Sequence, residues 1–311
     1  MKKRDFLTLS GLGPENLSRI VNKSLAIARM QDDGRRPLAN KFVGIYFRRS
    51  STRTRTSFTV GALRLGAHTI HYSPNDMQLI TGETFEDTGR ILSGFLDALV
   101  VRTNDSIHEM EALAAQGRMA VINAMSENEH PTQAIADLVT IREAIGQFDD
   151  VNVMYIGEGN NSAAALALAI SQTPGMRLTL VTPETYGISR NILHEARSLA
   201  QKNGASVEQI HNLDQLPRNV DVVYTTRWLT MGVQKSDPKW MEKFEPYRVT
   251  QKLMGYVSKS SGTIFMHDLP AVRGAEVMAE VLDGPQSVAF RQAENKLPSA
   301  MAVLSWCLGC Y

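Results

Sequence analysis

Short apolar runs alternate along the chain with stretches in which apolar residues recur three and four positions apart. Val43 to Phe47, Thr69 to Tyr72, Ala98 to Arg102 and Ala120 to Asn123 read as strands in the first half. Val151 to Ile156, Leu178 to Thr182, Asp221 to Thr225 and Thr263 to Met266 read as strands in the second. Between them, Glu86 to Leu96, Pro131 to Ile145, Ser162 to Ser171 and Ser189 to Lys202 have helical spacing, and Ala300 to Trp306 looks like a docking helix. Strands alternating with helices predict an α/β fold of two doubly wound, helix-covered parallel-sheet domains. The long helix ending at Ile145, followed by a new strand, makes Gly146 to Asp150 the expected hinge. That gives a first domain of residues 1-146, completed by the C-terminal helix at about 290-311, and a second of 147-289.

In open parallel sheets, ligands bind beyond the carboxyl ends of the strands. Here those ends are polar. The first sheet offers Ser51 to Arg55, Arg102 and His130-Pro131-Thr132-Gln133. The second offers Gly157-Glu158-Gly159-Asn160-Asn161, Thr226-Arg227-Trp228 and His267-Asp268-Leu269-Pro270. Polar clusters at equivalent strand ends imply one cleft between two domains. Ser51-Thr52-Arg53-Thr54-Arg55 is the densest of them, an anion cradle where a strand turns into a helix. The free N–H groups and positive dipole end of the helix favour an anion, and Arg and hydroxyl donors add specific bonds to phosphate or carboxylate oxygens. A nucleic-acid patch and a solvated helix start are the competing readings of that stretch.

Composition weakens the nucleic-acid reading: 33 Lys and Arg against 32 Asp and Glu give a net charge of +1, with no long basic run elsewhere. No stretch approaches the roughly 20 apolar residues of a membrane span, and the start lacks the apolar core of a signal peptide, so a cytoplasmic protein is expected. Cys307 and Cys310 form a C-x-x-C pair without a second pair or a neighbouring His, and read as two small apolar residues near a helix end. Gly157-x-Gly159 has Ser162 where a dinucleotide fingerprint has its third glycine.

Taken in order, these motifs resemble those of the aspartate/ornithine carbamoyltransferase family over essentially the whole chain. S-T-R-T-R, Arg102 after a strand and H-P-T-Q at His130 to Gln133 match the carbamoyl-phosphate half. Asp76-Met77-Gln78-Leu79, Gly82 to Thr88, the Gly-x-Gly-Asn-Asn turn, Trp228 to Gly232, Pro285 to Val288 and Ala293 to Leu297 resemble the ornithine branch. The resemblance implies transfer of the carbamoyl group of carbamoyl phosphate to an amine, two α/β domains, no metal or organic cofactor, and a homotrimer with sites shared between neighbours. It implies that Ser51, Thr52, Arg53 and Thr54 hold the phosphate, that Arg102, His130 and Thr54 polarise the carbonyl, and that Gln133 holds the carbamoyl amino group. Gln78 resembles the residue given to a neighbour's site; Leu269 and Lys296 fall at further donor-site positions. A cis Leu269–Pro270 bond is also implied.

The acceptor half departs from the pattern. Ornithine enzymes read D-x-W-x-S-M-G after the strand, with the Asp gripping the acceptor's α-ammonium; here Thr226 stands at the Asp. Thr226-Arg227 resembles instead the T-R pair of aspartate enzymes, whose Arg binds a carboxylate. The H-C-L-P loop reads His267-Asp268-Leu269-Pro270, placing a carboxylate where the family's Cys meets the reacting amine; Lys296 replaces an Arg, and Arg48 replaces the Glu of F-E-K. Asn161 resembles the residue that binds the acceptor's α-carboxylate, and Thr230 and Met231 fall in the acceptor loop. The expected acceptor is an ornithine-like diamino acid other than L-ornithine, with Asp268 recognising its amine and taking part in proton removal. An Asp268 that caps a helix or pairs with Arg227 is the alternative. Ornithine carbamoyltransferase proper, a silent binding or regulatory member, and a nucleotide-dependent enzyme built on Gly157-x-Gly159 remain as other functions.

Overall fold

The computed structural model describes residues 3–30, 34–229 and 235–310. It divides into two compact units, Met1–Val139 with Glu294–Tyr311, and Thr140–Ala293. The division falls inside the helix Pro131–Ile145, a few residues before the glycine that ends it.

The first unit is built on β1 (Phe42–Phe47), β2 (His68–Tyr72), β3 (Ala98–Arg102) and β4 (Ala120–Met125), in the order β2-β1-β3-β4. All its pairs are parallel. The inner strands are apolar and buried on both faces, as helix-covered parallel strands must be. β2, at the edge, keeps three of its five residues exposed. The second unit has β5 (Asn152–Ile156), β6 (Arg177–Val181), β7 (Ser206–Ile210), β8 (Val222–Thr225) and β9 (Ile264–His267), all parallel in the order β7-β6-β5-β8-β9. β7 is the strand that the apolar pattern does not announce. Its sequence, Ser-Val-Glu-Gln-Ile, buries only Val207 fully, because an edge strand needs one covered face.

Strand order fixes where a ligand can sit. In the first sheet the winding reverses between β1 and β3, whose ends meet at the Phe47–Arg102 register pair. In the second it reverses between β5 and β8, with β9 beside β8. Binding crevices open at such switch points.

The C-terminal helix Lys296–Cys307 packs on the helices Pro14–Arg29 and Arg53–Arg64. Cys307 ends it, fully buried, and burial pushes its thiol well above the usual range. Among the described residues no helix is long and apolar enough to cross a membrane.

Candidate active site

The helix Arg53–Arg64 begins directly after β1, with Thr52 at its N-cap and no side chain capping its first N–H groups. Those donors and the dipole end remain open to an anion beside the Ser51 to Arg55 stretch. Arg102, at the end of β3, is 6% exposed, and its Nη1 lies 3.5 Å from Thr54 Oγ1 and 3.3 Å from His130 Nε2. A guanidinium only donates, so His130 Nε2 accepts, and the imidazole proton sits on Nδ1, toward Thr132 Oγ1 at 3.4 Å. Burial, then Arg102 and Lys296, hold the His130 pKa well below the ordinary imidazole value. His130 is neutral at physiological pH and buttresses Arg102 rather than adding charge.

Gln133 is locked at both ends: its Nε2 donates to Asp137 Oδ1 at 2.7 Å, and its Oε1 accepts from Lys296 Nζ. Lys296 and Thr54 also line one small recess with Ser57, Phe58, Thr132 and Ala300. The structure thus brings Thr54, Arg102, His130, Gln133 and Lys296 together around the uncapped helix end. Gln78 is not among them. It lies exposed on a short 3-10 turn, its side-chain oxygen accepting from Thr81.

His130 sets a pH dependence that can be measured. Below about pH 6.5 an unfolded histidine takes up a proton that the folded site refuses, so the unfolded state binds more protons and stability falls as pH drops through that value. The contribution is fully present above it. Urea titrations from pH 7.5 to 5.5 should show a loss of up to about 1.4 kcal/mol per pH unit that His130→Gln lacks. Equal slopes for the two proteins would contradict the buried neutral imidazole.

In the second unit, Asn160 caps the helix Asn161–Ile170, its Oδ1 accepting from the N–H groups of Ser162 and Ala163. Gly159 is dictated by packing: a Cβ there would meet the carbonyl carbon of Gly187 at 2.3 Å. The Gly-x-Gly turn thus serves close backbone approach, and with Ser162 at the third position no nucleotide fingerprint remains. Asp268 sits at the end of β9 with both carboxylate oxygens engaged by hydroxyls: Oδ1 accepts from Thr226 at 2.8 Å and Oδ2 from Ser162 at 2.8 Å. Among the described residues Asp268 makes no ion pair with Arg227, and it caps no helix. Arg227 has a buried Nε without a hydrogen-bond partner among the described residues. Thr230 and Met231 lie outside the described residues.

The loop after Asp268 is held by groups that the sequence does not advertise. Leu269 has a φ of 52°, unusual for a branched side chain, and the Leu269–Pro270 bond is cis. The Leu269 N–H donates to His267 Nδ1 at 2.9 Å, so the ring's single proton is on Nε2, 3.2 Å from Glu276 Oε1. The same oxygen accepts from the Val272 N–H at 2.6 Å. Ser162, His267 and Glu276 form the supporting shell. Only His267 had a sequence signal, as the first residue of its loop motif.

Two family models match this chain: the carbamoyl-P binding domain of aspartate/ornithine carbamoyltransferases over residues 4–143, and the Asp/Orn binding domain over 149–307. The chain belongs to the aspartate/ornithine carbamoyltransferase family. It is a carbamoyltransferase. An ornithine carbamoyltransferase of Oceanobacillus iheyensis is 38% identical over 307 residues, covering 98% of this chain and 94% of that protein. One of Caldicellulosiruptor saccharolyticus is 39% identical over 312 residues, covering 98% and 99%. The solved ornithine carbamoyltransferase of Pyrococcus furiosus superposes with a TM-score of 0.92 at 35% identity, covering 99% of this chain and 98% of that one.

Proposed function

We propose that the enzyme moves the carbamoyl group of carbamoyl phosphate to the amine of an ornithine-like diamino acid other than L-ornithine, releasing phosphate. One observation carries the acceptor reading: the Asp268 carboxylate is bonded to Thr226. Relative to the family motifs, Asp and a short side chain have changed places across that 2.8 Å contact. The negative charge stays in the site but comes from the β9 end, where a Cys meets the reacting amine in the ornithine motif. An α-ammonium placed as L-ornithine places it loses its partner. The reacting amine gains a carboxylate that binds its cation and then takes its proton, since only the neutral amine attacks. Arg227 and Asn161 supply recognition of the acceptor carboxylate.

On the donor side, Ser51, Thr52, Arg53 and the helix end hold the phosphate, with Lys296 and the Leu269 backbone as further contacts. Thr54 and Arg102 stabilise the developing oxyanion, His130 keeps Arg102 in place, and Gln133 orients the carbamoyl amino group. Transfer needs no covalent intermediate, because preorganised donors and positioning lower the barrier directly. The test is phosphate release from carbamoyl phosphate with a panel of diamino acids, diamines and aspartate. A diamino acid other than L-ornithine is expected to give the highest kcat/KM, and L-ornithine at the top of the panel would overturn the acceptor reading.

The same reading includes a homotrimer with shared sites. Leu63, Ile70, Ile80, Ile91 and Phe95 are all exposed on the first unit, which also carries the exposed Gln78. Mixing inactive Gln78→Ala and Arg53→Ala chains by co-refolding should rebuild intact sites in roughly a quarter of cases for random assembly of a cyclic trimer. A mixture as inactive as its parents, or an active monomer by ultracentrifugation, would contradict sharing.

A further inference from the structure

Lys235 carries an ammonium that is almost fully enclosed. Its side chain is 3% exposed and ion-paired to Glu158, itself 12% exposed. Three ring faces surround the same Nζ: Tyr186 at 4.6 Å, Phe244 at 4.8 Å and Trp240 at 5.2 Å from their centroids. An enclosed ammonium is costly unless paired, and a carboxylate with three aromatic faces supplies the compensation. The rings form one cluster, with Phe244 at 4.8 Å from Tyr186, 5.5 Å from Trp228 and 5.7 Å from Trp240.

The cluster lies where the acceptor residues are hung. Trp228, 2% exposed, directly follows Arg227 and rests on Phe244. A Cβ on Gly157 would come within 3.4 Å of its Nε1. Lys235 lies over the same Phe244 ring and pairs with Glu158, the middle residue of the turn leading to Asn161 and to Ser162, the donor to Asp268. Trp228, next to Arg227, and Lys235 thus meet on one ring, Phe244, and Lys235 also meets the turn before Asn161 at Glu158.

We propose that Lys235 is a positioning residue for the acceptor half of the reaction: its seated ammonium holds the Thr226-Arg227 segment against the Asn161–Ser162 turn, so that Asp268 and Arg227 face the acceptor in a fixed geometry. The inference rests on the acceptor reading above but on no particular acceptor. Its charge acts through position and touches no reacting atom.

The test uses the full-length enzyme and whichever panel amine it turns over fastest. In Lys235→Ala and Lys235→Met, acceptor kcat/KM should fall about tenfold or more, with the KM for carbamoyl phosphate changed less than about twofold. Lys235→Arg should keep most of the activity. Millimolar n-propylammonium, but not n-propanol, should partly restore Lys235→Ala by refilling the cage. The neutral pair Glu158→Gln/Lys235→Met, which removes both charges together, serves as a folded control that should stay defective toward the acceptor. A separate arm needs no turnover: n-propylammonium should change the tryptophan fluorescence of Lys235→Ala, through Trp228 and Trp240, and leave the wild type unchanged. A saturable fluorescence change without an acceptor defect would overturn the positioning role alone and leave the seat intact. Equal losses toward donor and acceptor, a neutral pair with wild-type kinetics, or no response to n-propylammonium in either arm would overturn the proposal.

Discussion

Arg102→Ala should lower kcat with carbamoyl phosphate by about 100-fold or more, whatever the acceptor, because it removes a buried donor whose bond strengthens as the oxyanion forms. Its Nη1 bridges Thr54 and His130, so the loss also releases the imidazole that held it. The fold should survive. Arg102 is one of the charges that depress His130, and removing it relieves a like-charge environment. The His130 pKa should rise toward its ordinary value, which NMR titration of the ring can follow. Arg53→Ala should produce a loss of similar size through the phosphate. Near-normal kcat in either variant, with an unchanged unfolding midpoint, would show that the donor site lies elsewhere.

The meeting of Thr54, Arg102 and His130 was legible in the sequence because their motifs are local and dense. Ser51 to Arg55 cluster at a strand–helix junction, and Arg102 and His130 each follow a buried apolar run, so strand order alone carries them to one switch point. Lys296 reaches Gln133 across more than 160 positions, and only the family motif pointed to it. What stayed hidden is the supporting shell. Glu276, Ser162, Glu158 and Lys235 are ordinary residues in sequence, and their importance comes from who they face: Glu276 holds His267 and Val272, Ser162 holds Asp268, and Lys235 sits in rings up to 49 positions away. β7 escaped for a different reason, since an edge strand with one covered face has too few apolar residues to stand out. The pairing of Asp268 with Arg227, an open alternative from sequence, gave way to two hydroxyl partners.

The coupled exchange at Thr226 and Asp268 should govern acceptor choice more than chemistry. Asp268→Asn keeps the shape and the two hydroxyl contacts but removes the charge that binds the amine and accepts its proton. It should depress acceptor kcat/KM by roughly fivefold to 150-fold, a loss of about 1–3 kcal/mol, while carbamoyl-phosphate affinity stays nearly unchanged. Thr226→Asp alone sets two carboxylates within hydrogen-bonding distance, so turnover of L-ornithine and of the enzyme's preferred acceptor should both fall. Thr226→Asp with Asp268→Cys returns the carboxylate to the β8 end and the thiol to the β9 end. Side-by-side kcat/KM values for L-ornithine in the wild type and this double variant test the central claim most directly. The transposed carboxylate predicts poor L-ornithine turnover by the wild type and a gain of about tenfold or more in the double variant. Efficient L-ornithine turnover by the wild type, with no gain on exchange, would contradict it.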